Sequence, residues 1–534
     1  MAIDERPDWW REGEGKHYRG TFPMVGNSNP GFWDVHYGGS LNTTLMPSSP
    51  RFNQLVEYNP VSPTEIIGDL ATTWDVNDDG TEFTFHLNEA TWSDGQPVTA
   101  EDIKFSLDRI TLPGAQRART GFLRAFYEHQ SAEVVDDKTV KVPLKFPAPT
   151  FMPNLASDYM KMYPKHIAED LTQEEANQPE SLIGSGPWLF GGWQKDVSYT
   201  FDRNPTYFKS GRPFFDGIIV YLIPDTARRI AALQAGQVLG TFNPFTGVNR
   251  PEDMAILEEQ TDGQMRALIL PDSGFEAYFL NNAKPPFDDE RVRQAFYLGL
   301  DRDLGIERAV KGFGTPGTYF APGVVESMDD LRANNSAFAE DRTAAIEQAK
   351  ALLAEAGYPD GIKVKMNTRN SNPTLPAAEV ASAQLRRDVG IDIEILPNDL
   401  ATTYAVMRDG THEISTVGTG IILRDPADIL NQFYLQDVLR NPQNWQDDRI
   451  DELIDLQNRA IDQRVRQDHL QEIADILHTG KSHLVVYFWG SNGGALDYRI
   501  RNFHTPPTLQ QVHKWDHVWF DPDREQPAES GYQP

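Results

Sequence analysis

Cysteine is absent from all 534 residues, which excludes disulfides, thiolate nucleophiles and thiolate-held zinc or iron–sulfur centres within this chain. That absence does not decide the compartment, because a thiol-free chain suits oxidising and reducing surroundings alike. No run of about 18 apolar residues occurs, so no segment reads as a membrane-spanning helix. The opening stretch, MAIDERPDWWREGEGKHYRG, is polar and acidic where a secretory leader is basic and then apolar. Two expectations follow: a cytoplasmic chain, or one whose leader, with any lipid-anchoring cysteine, has been removed. Positive charge is also scarce. Against 78 Asp and Glu stand 49 Lys and Arg, a net charge of −29, which repels phosphate backbones and anionic lipid and leaves nucleic acid out of the expected partners.

Missing too are the local signatures of common enzymes: no G-x-S-x-G, no P-loop and no H-E-x-x-H. Three partial matches fail on their context. Asp75-x-Asn77-x-Asp79-Gly80 copies half a calcium loop, but the twelfth position is His86 where a bidentate Glu is needed; Asn, Asp and Gly turn chemistry explains it. Gly312-x-Gly314-x-x-Gly317 follows a helical stretch and carries Pro316 where a phosphate-binding helix would begin, so a connecting loop is expected. His513 and His517 have a metal-compatible spacing, yet without a Glu-containing metalloprotease pattern they read as a packed or surface pair. No cofactor is expected.

What is present supports large cores: 39% of residues are hydrophobic and 11% aromatic. The length predicts two or three globular units. In residues 65–110, a strand ends near Val76, and Asn77-Asp78-Asp79-Gly80 turns the chain. Phe83, Phe85 and Leu87 then alternate with Glu82, Thr84 and His86, the period of a half-buried antiparallel strand. Beyond Ser93-Asp94-Gly95, Thr99 caps a helix with Asp102 as its partner and Ile103, Leu107 and Ile110 as its buried stripe. Farther on, Tyr278–Leu280 is a strand, Pro285-Pro286 breaks it, and Asp288 or Asp289 caps a helix carrying Val292, Ala295 and Phe296. Residues 343–357 read as a helix closed by Gly357. The strand Ile362–Met366, a helix near 376–388 and the strand Ile391–Leu396 follow. This alternation predicts an α/β unit, and the segment after about Asp521 reads as a loose tail.

Several of these segments resemble the dipeptide- and oligopeptide-binding members of solute-binding protein family 5 of ABC transporters. The matching residues are Asp69-Leu70-Ala71 with Trp74-Asp75, Phe83-Thr84-Phe85-His86-Leu87, Trp92-Ser93-Asp94-Gly95 and Pro97 to Asp102. Gly184-Ser185-Gly186-Pro187-Trp188, Arg203-Asn204-Pro205-Thr206-Tyr207-Phe208, Asn281-Asn282 through Arg291-Val292-Arg293-Gln294-Ala295 to Asp301-Arg302, and Ala349 to Gly361 continue the order. The resemblance implies an α/β, two-lobed periplasmic-binding-protein-like fold (type II, cluster C-like) with an extra domain inserted in the first lobe. Domain I would comprise 1–50, 181–270 and 486–534, domain II 51–180, and domain III 271–485. It also implies a monomer without catalytic activity, an extracytoplasmic location, and permease subunits as partners. Lobe closure on a small-molecule solute, a peptide or a carbohydrate-like one, completes the expectation.

Three groups are candidates for binding. The loop Asn27, Ser28, Asn29, Phe32, Trp33 and Asp34 follows the first strand, a position that faces the cleft in the family. The segment Gly418, Thr419, Gly420, Ile421, Ile422 and Asp425 resembles the stretch where peptide binders carry an acid for the peptide's α-ammonium, three residues before Asp-Pro. Here Ile422 holds that position. A buried ammonium lacking a counter-charge costs on the order of several kcal/mol, so Asp425 or Asp34 substitutes, or the solute has no amine. The third group, Arg369, Trp445 and Trp489, offers a guanidinium and aromatic faces. The reading is a receptor for a peptide or similarly sized polar solute; an oligosaccharide or opine-like solute is the alternative, and a hydrolase working in the same cleft the remote one.

Overall fold

A computed structural model describes residues 20–37, 41–60, 62–113, 123–241, 250–421, 423–435, 441–504, 506, 508 and 514–524. The chain divides into two compact units, one of residues 1–270 with 492–534 and the other of residues 271–491. It passes between them twice, in each case within a strand: Met265–Leu280 and Leu484–Asp497.

The first unit holds two large, separate cores and smaller apolar clusters beside them. One lies over the four-stranded sheet ordered Thr21–Gly26, Gly217–Leu222, Ser198–Arg203, Trp188–Gln194, whose first pair is parallel and whose others are antiparallel. Phe22, Met24, Phe201, Ile218 and Val220 fill it. The other lies over an antiparallel sheet ordered Ala71–Val76, Glu82–Leu87, Thr139–Pro143, Glu133–Asp136. Its expected hairpin is present, with Trp74 opposite Phe85. Phe83, Phe85 and Leu87 are buried while their alternating neighbours are half exposed. Asn77 Oδ1 accepts from the N–H groups of Thr81 and Glu82 at 2.8 and 2.9 Å, so this acceptor is spent on the turn.

The helix Ala100–Thr111 begins where Thr99 and Asp102 predict. Asp102 accepts from Thr99 N–H at 2.9 Å, from Lys165 N–H at 2.8 Å and from the Trp92 indole at 3.3 Å. A capping residue thus also ties down two other segments.

The second unit is built on a six-stranded sheet in the order Gly314–Pro316, Leu484–Asp497, Met265–Leu280, Ile414–Gly420, Ile362–Arg369, Ile391–Asn398. Ile414–Gly420 runs antiparallel to Met265–Leu280 and parallel to Ile362–Arg369, which is parallel to Ile391–Asn398. The helices Glu290–Gly299, Thr343–Glu355 and Thr374–Asp388 contribute Val292, Phe296, Ala349, Leu353 and Leu385 to its core. Gly357 follows the second of these helices at φ 95°, the left-handed conformation that stops it. Two expectations are corrected. Tyr278–Leu280 is only the end of a 16-residue strand, its earlier part disguised by Pro271, Asp272 and Gly274. The expected loop Gly312–Gly317 contains a short strand, Gly314–Pro316, at the sheet edge, where Pro316 forfeits no needed ladder bond.

Candidate functional site

In open α/β sheets ligands bind outside the carboxyl ends of parallel strands, where successive loops diverge. Each unit has such a rim.

In the first unit it is the loop after Thr21–Gly26. Asn29 is fastened to the turn between two sheet strands: its Nδ2 donates to Asp196 Oδ1 at 2.6 Å and its Oδ1 accepts from Asp196 N–H at 2.9 Å. Ser28 Oγ donates to Asn27 Oδ1 at 3.0 Å. Phe32 is exposed and meets Tyr37 edge-on at 5.3 Å. Trp33 is packed against Phe190, Trp193 and Tyr199, and its carbonyl accepts from Ser48 Oγ. Asp34 is fully buried, its two oxygens taking Arg109 at 3.1 and 2.7 Å, with Tyr163 Oη and Gln173 also donating. Despite burial, the guanidinium of Arg109 holds this carboxyl well below the usual carboxylate range. Asp34 is therefore a structural counter-ion, and it does not stand in for a missing ligand anchor.

In the second unit the rim is formed by the ends of Ile362–Arg369 and Ile414–Gly420. It brings together Arg369, Gly418, Thr419 and Gly420. Gly418, Thr419 and Gly420 lie opposite Glu276, Phe275 and Gly274 respectively. Arg369 is half-buried, and its guanidinium forms no ion pair among the described residues. Ile421 is buried in the core, and Ile422 lies outside the described residues. Asp425 caps the helix Pro426–Phe433 through Ala427 N–H and takes Arg466 at 2.6 and 2.8 Å. Like Asp34, it is committed within the fold.

The remaining aromatic candidates are spent on packing. Trp489 is fully buried, donates its indole N–H to Thr318 O at 2.9 Å and leans on Phe275 at 5.0 Å. Trp445 packs on His483, whose carbonyl accepts from Leu280 N–H, so it lies at the opposite end of the sheet from Gly420. Of the histidine pair, His517 is buried beside Asp516 and His513 lies outside the described residues.

Two features escape a reading of the sequence. Glu276 sits inside the apolar strand Met265–Leu280, only 6% exposed. Its Oε1 accepts from Thr374 Oγ1 at 3.2 Å, at the first turn of Thr374–Asp388, while its Oε2 has no hydrogen-bond partner. Burial pushes its carboxyl up to about 7, the Thr374 hydroxyl and Arg369 guanidinium only partly opposing the shift. An acid within the apolar run Phe275–Leu280 was the available signal. The second feature is a buried ionic cluster in the first unit. Asp69 takes Lys209 and Lys514 at 2.6 Å each and Asn53 at 2.7 Å, and both ammonium groups also reach Glu57. Asp69 belongs to the Asp69-Leu70-Ala71 motif, but its cationic partners lie more than a hundred residues away and no local pattern announces them.

Among the described residues no group of three or more His, Cys, Asp or Glu is placed to hold a metal ion. No helix there is long and apolar enough to cross a membrane.

Comparison with known proteins places this geometry. A di/tripeptide-binding protein 5 of Pseudomonas aeruginosa, described as probable, is 28% identical over 487 residues, 86% of this chain and 88% of that protein. Among solved structures, AgaA of A. tumefaciens in complex with agropinic acid aligns with a TM-score of 0.76 at 23% identity, over 95% of this chain and 99% of that one. Helicobacter pylori DppA in complex with the peptide STSA aligns at 0.79 with 22% identity, over 96% and 100%. These likenesses establish the α/β, two-lobed fold class that the motifs implied. The profile of the bacterial extracellular solute-binding proteins, family 5, matches residues 65–439, well over half of the chain, and the protein belongs to that family.

Proposed function

We propose that this chain is the solute-capturing component of an ABC importer, taking up a peptide or similarly sized polar solute outside the cytoplasm and passing it to permease subunits. The family is one of binding proteins, and no catalytic residues are assigned. The observation that carries the reading is the rim of the second unit: a guanidinium, Arg369, with no ion-pair partner among the described residues, at the end of a strand parallel to the one that ends Gly418-Thr419-Gly420. Such a guanidinium suits a solute carboxylate, and glycines let a ligand approach backbone donors and acceptors closely. Exposed Phe32 and the Asn27–Asn29 loop supply the first unit's contacts. The two large cores of the first unit support its division into domain I, from 1–50, 181–270 and 486–534, and domain II, 51–180, with domain III at 271–485. The two strand crossings suit a receptor that works as a monomer by hinged closure.

An opine-like solute is the second reading, favoured by the likeness to an agropinic acid complex. A thermal-shift screen of dipeptides, oligosaccharides and amino acid–sugar conjugates separates these readings. A solute present at about 100 times its Kd adds about 2.7 kcal/mol of stability. Shifts from carbohydrates alone sink the peptide and opine readings, and turnover of the captured solute on long incubation sinks the receptor.

A further inference from the structure

We infer that Glu276 is the anionic anchor of the solute site, accepting a protonated amine of the solute in a chain whose sequence carries Ile422 where an acid was expected. This inference rests on the receptor reading above and specifies its substrate class. Four observations within the second unit lead to it.

The side chain is more than nine-tenths buried, yet one carboxylate oxygen lacks a partner, an arrangement a fold tolerates at a cost unless a ligand completes it. It lies on the rim, opposite Gly418, two residues before the carboxyl end of Ile414–Gly420. The space is reserved for it: a Cβ at position 418 would come within 2.4 Å of Glu276 Oε1. Finally, both acids the sequence offered as substitutes are consumed, Asp34 by Arg109 and Asp425 by Arg466.

The groups acting on this carboxyl are few. Thr374 donates to it from the adjoining helix, and the Arg369 guanidinium acts from the end of the neighbouring strand without direct contact. Tyr278, two residues along the same strand, is buried with its hydroxyl on Ala377 O and stays neutral. Glu276 and Arg369 thus offer one acceptor for a cation and one donor for an anion, which matches a solute carrying both an amine and a carboxylate. Because burial raises the carboxyl to about 7, the empty site is largely protonated at pH 6, and an ammonium enters as the proton leaves.

The test measures calorimetric affinities of wild type and Glu276→Gln for L-leucyl-L-alanine, an amine-bearing amino acid–sugar conjugate, the N-acetyl form of each, and maltotriose, at pH 6 and 8. For wild type the amine-bearing solutes bind about four-fold tighter at pH 8 than at pH 6, a roughly ten-fold rise in the ionised fraction of a group near 7 being offset about two-fold by the solute amine, which itself loses its proton near 8, and N-acetylation abolishes that gain. Glu276→Gln binds them at least ten-fold more weakly at pH 8 and shows no such gain with pH. Melting of the unliganded variant serves as the folding control. Equal affinity and equal slope in the two proteins overturn the anchor while leaving the receptor intact, as does tight binding of maltotriose or the N-acetyl forms alone. Absence of binding by every probe to folded wild type at both pH values overturns the receptor reading and the anchor with it.

Discussion

At the scale of single residues, the informative carboxylates are the buried ones, and they divide by whether a cation faces them. Asp34 and Asp69 have bidentate or paired cations and are held far below the usual carboxylate range. Glu276 has none in contact and moves the other way. The sign of the consequence for stability follows. A carboxyl raised from 4.5 to about 7 favours the folded state in its protonated form, so its contribution is whole below pH 4.5 and is lost as pH climbs through 7. Glu276→Gln has no such loss. Unfolding of the unliganded proteins in urea at pH 5 and 8 is expected to show the variant gaining about 2–3 kcal/mol on wild type across that interval; parallel pH profiles contradict a raised carboxyl. Arg109→Ala works in the opposite sense, because it strands Asp34 in a dry site. The expected loss is about 3–5 kcal/mol at pH 7, read by the same titration, and a loss below 1 kcal/mol means that water reaches Asp34.

At the scale of elements, legibility tracked locality. The Glu82–Leu87 strand and the helix begun by Thr99 and Asp102 are coded by neighbours within a few positions, and both stand where their patterns put them. The strand Met265–Leu280 was read only from Tyr278 because its first half is interrupted by Pro271, Asp272 and Gly274; its extension depends on pairing with Ile414–Gly420, more than 130 residues later. The candidate binding loops were legible as glycine-rich and polar stretches. The partners of their side chains were not, since Asp34 is claimed by Arg109 and Asp425 by Arg466 through tertiary folding alone. The same dependence makes Gly418 diagnostic. Gly418→Ala forces the Glu276 carboxylate to shift, an overpacking cost of about 1–3 kcal/mol. Combined with Glu276→Ala the penalty should largely vanish, a coupling above about 0.5 kcal/mol in a double-mutant cycle of melting free energies. Additive losses would show that the two residues do not meet.

At the scale of the whole molecule, two strand crossings join units with separate cores. Crossings that few in number suit two bodies that change their relation when a solute binds, by selection between existing states. Small-angle scattering with a saturating solute from the screen is expected to report a smaller radius of gyration, together with a raised Tm. An unchanged radius in the presence of a measured Tm shift would confine the solute's effect to one unit.

The cluster around Asp69 carries a consequence for biogenesis. Its carboxylates, Glu57 and Asp69, and its first ammonium, Lys209, leave the ribosome early, but the second ammonium, Lys514, belongs to the stretch after residue 491 that returns to the first unit. Until that stretch is synthesised the nascent first unit holds two desolvated acids against one base, and closing its core is unfavourable. The intervening unit, one unbroken stretch of chain, is under no such delay. Sealing the first unit's core around Glu57 and Asp69 therefore waits on a stretch of chain that comes after the whole of the second unit.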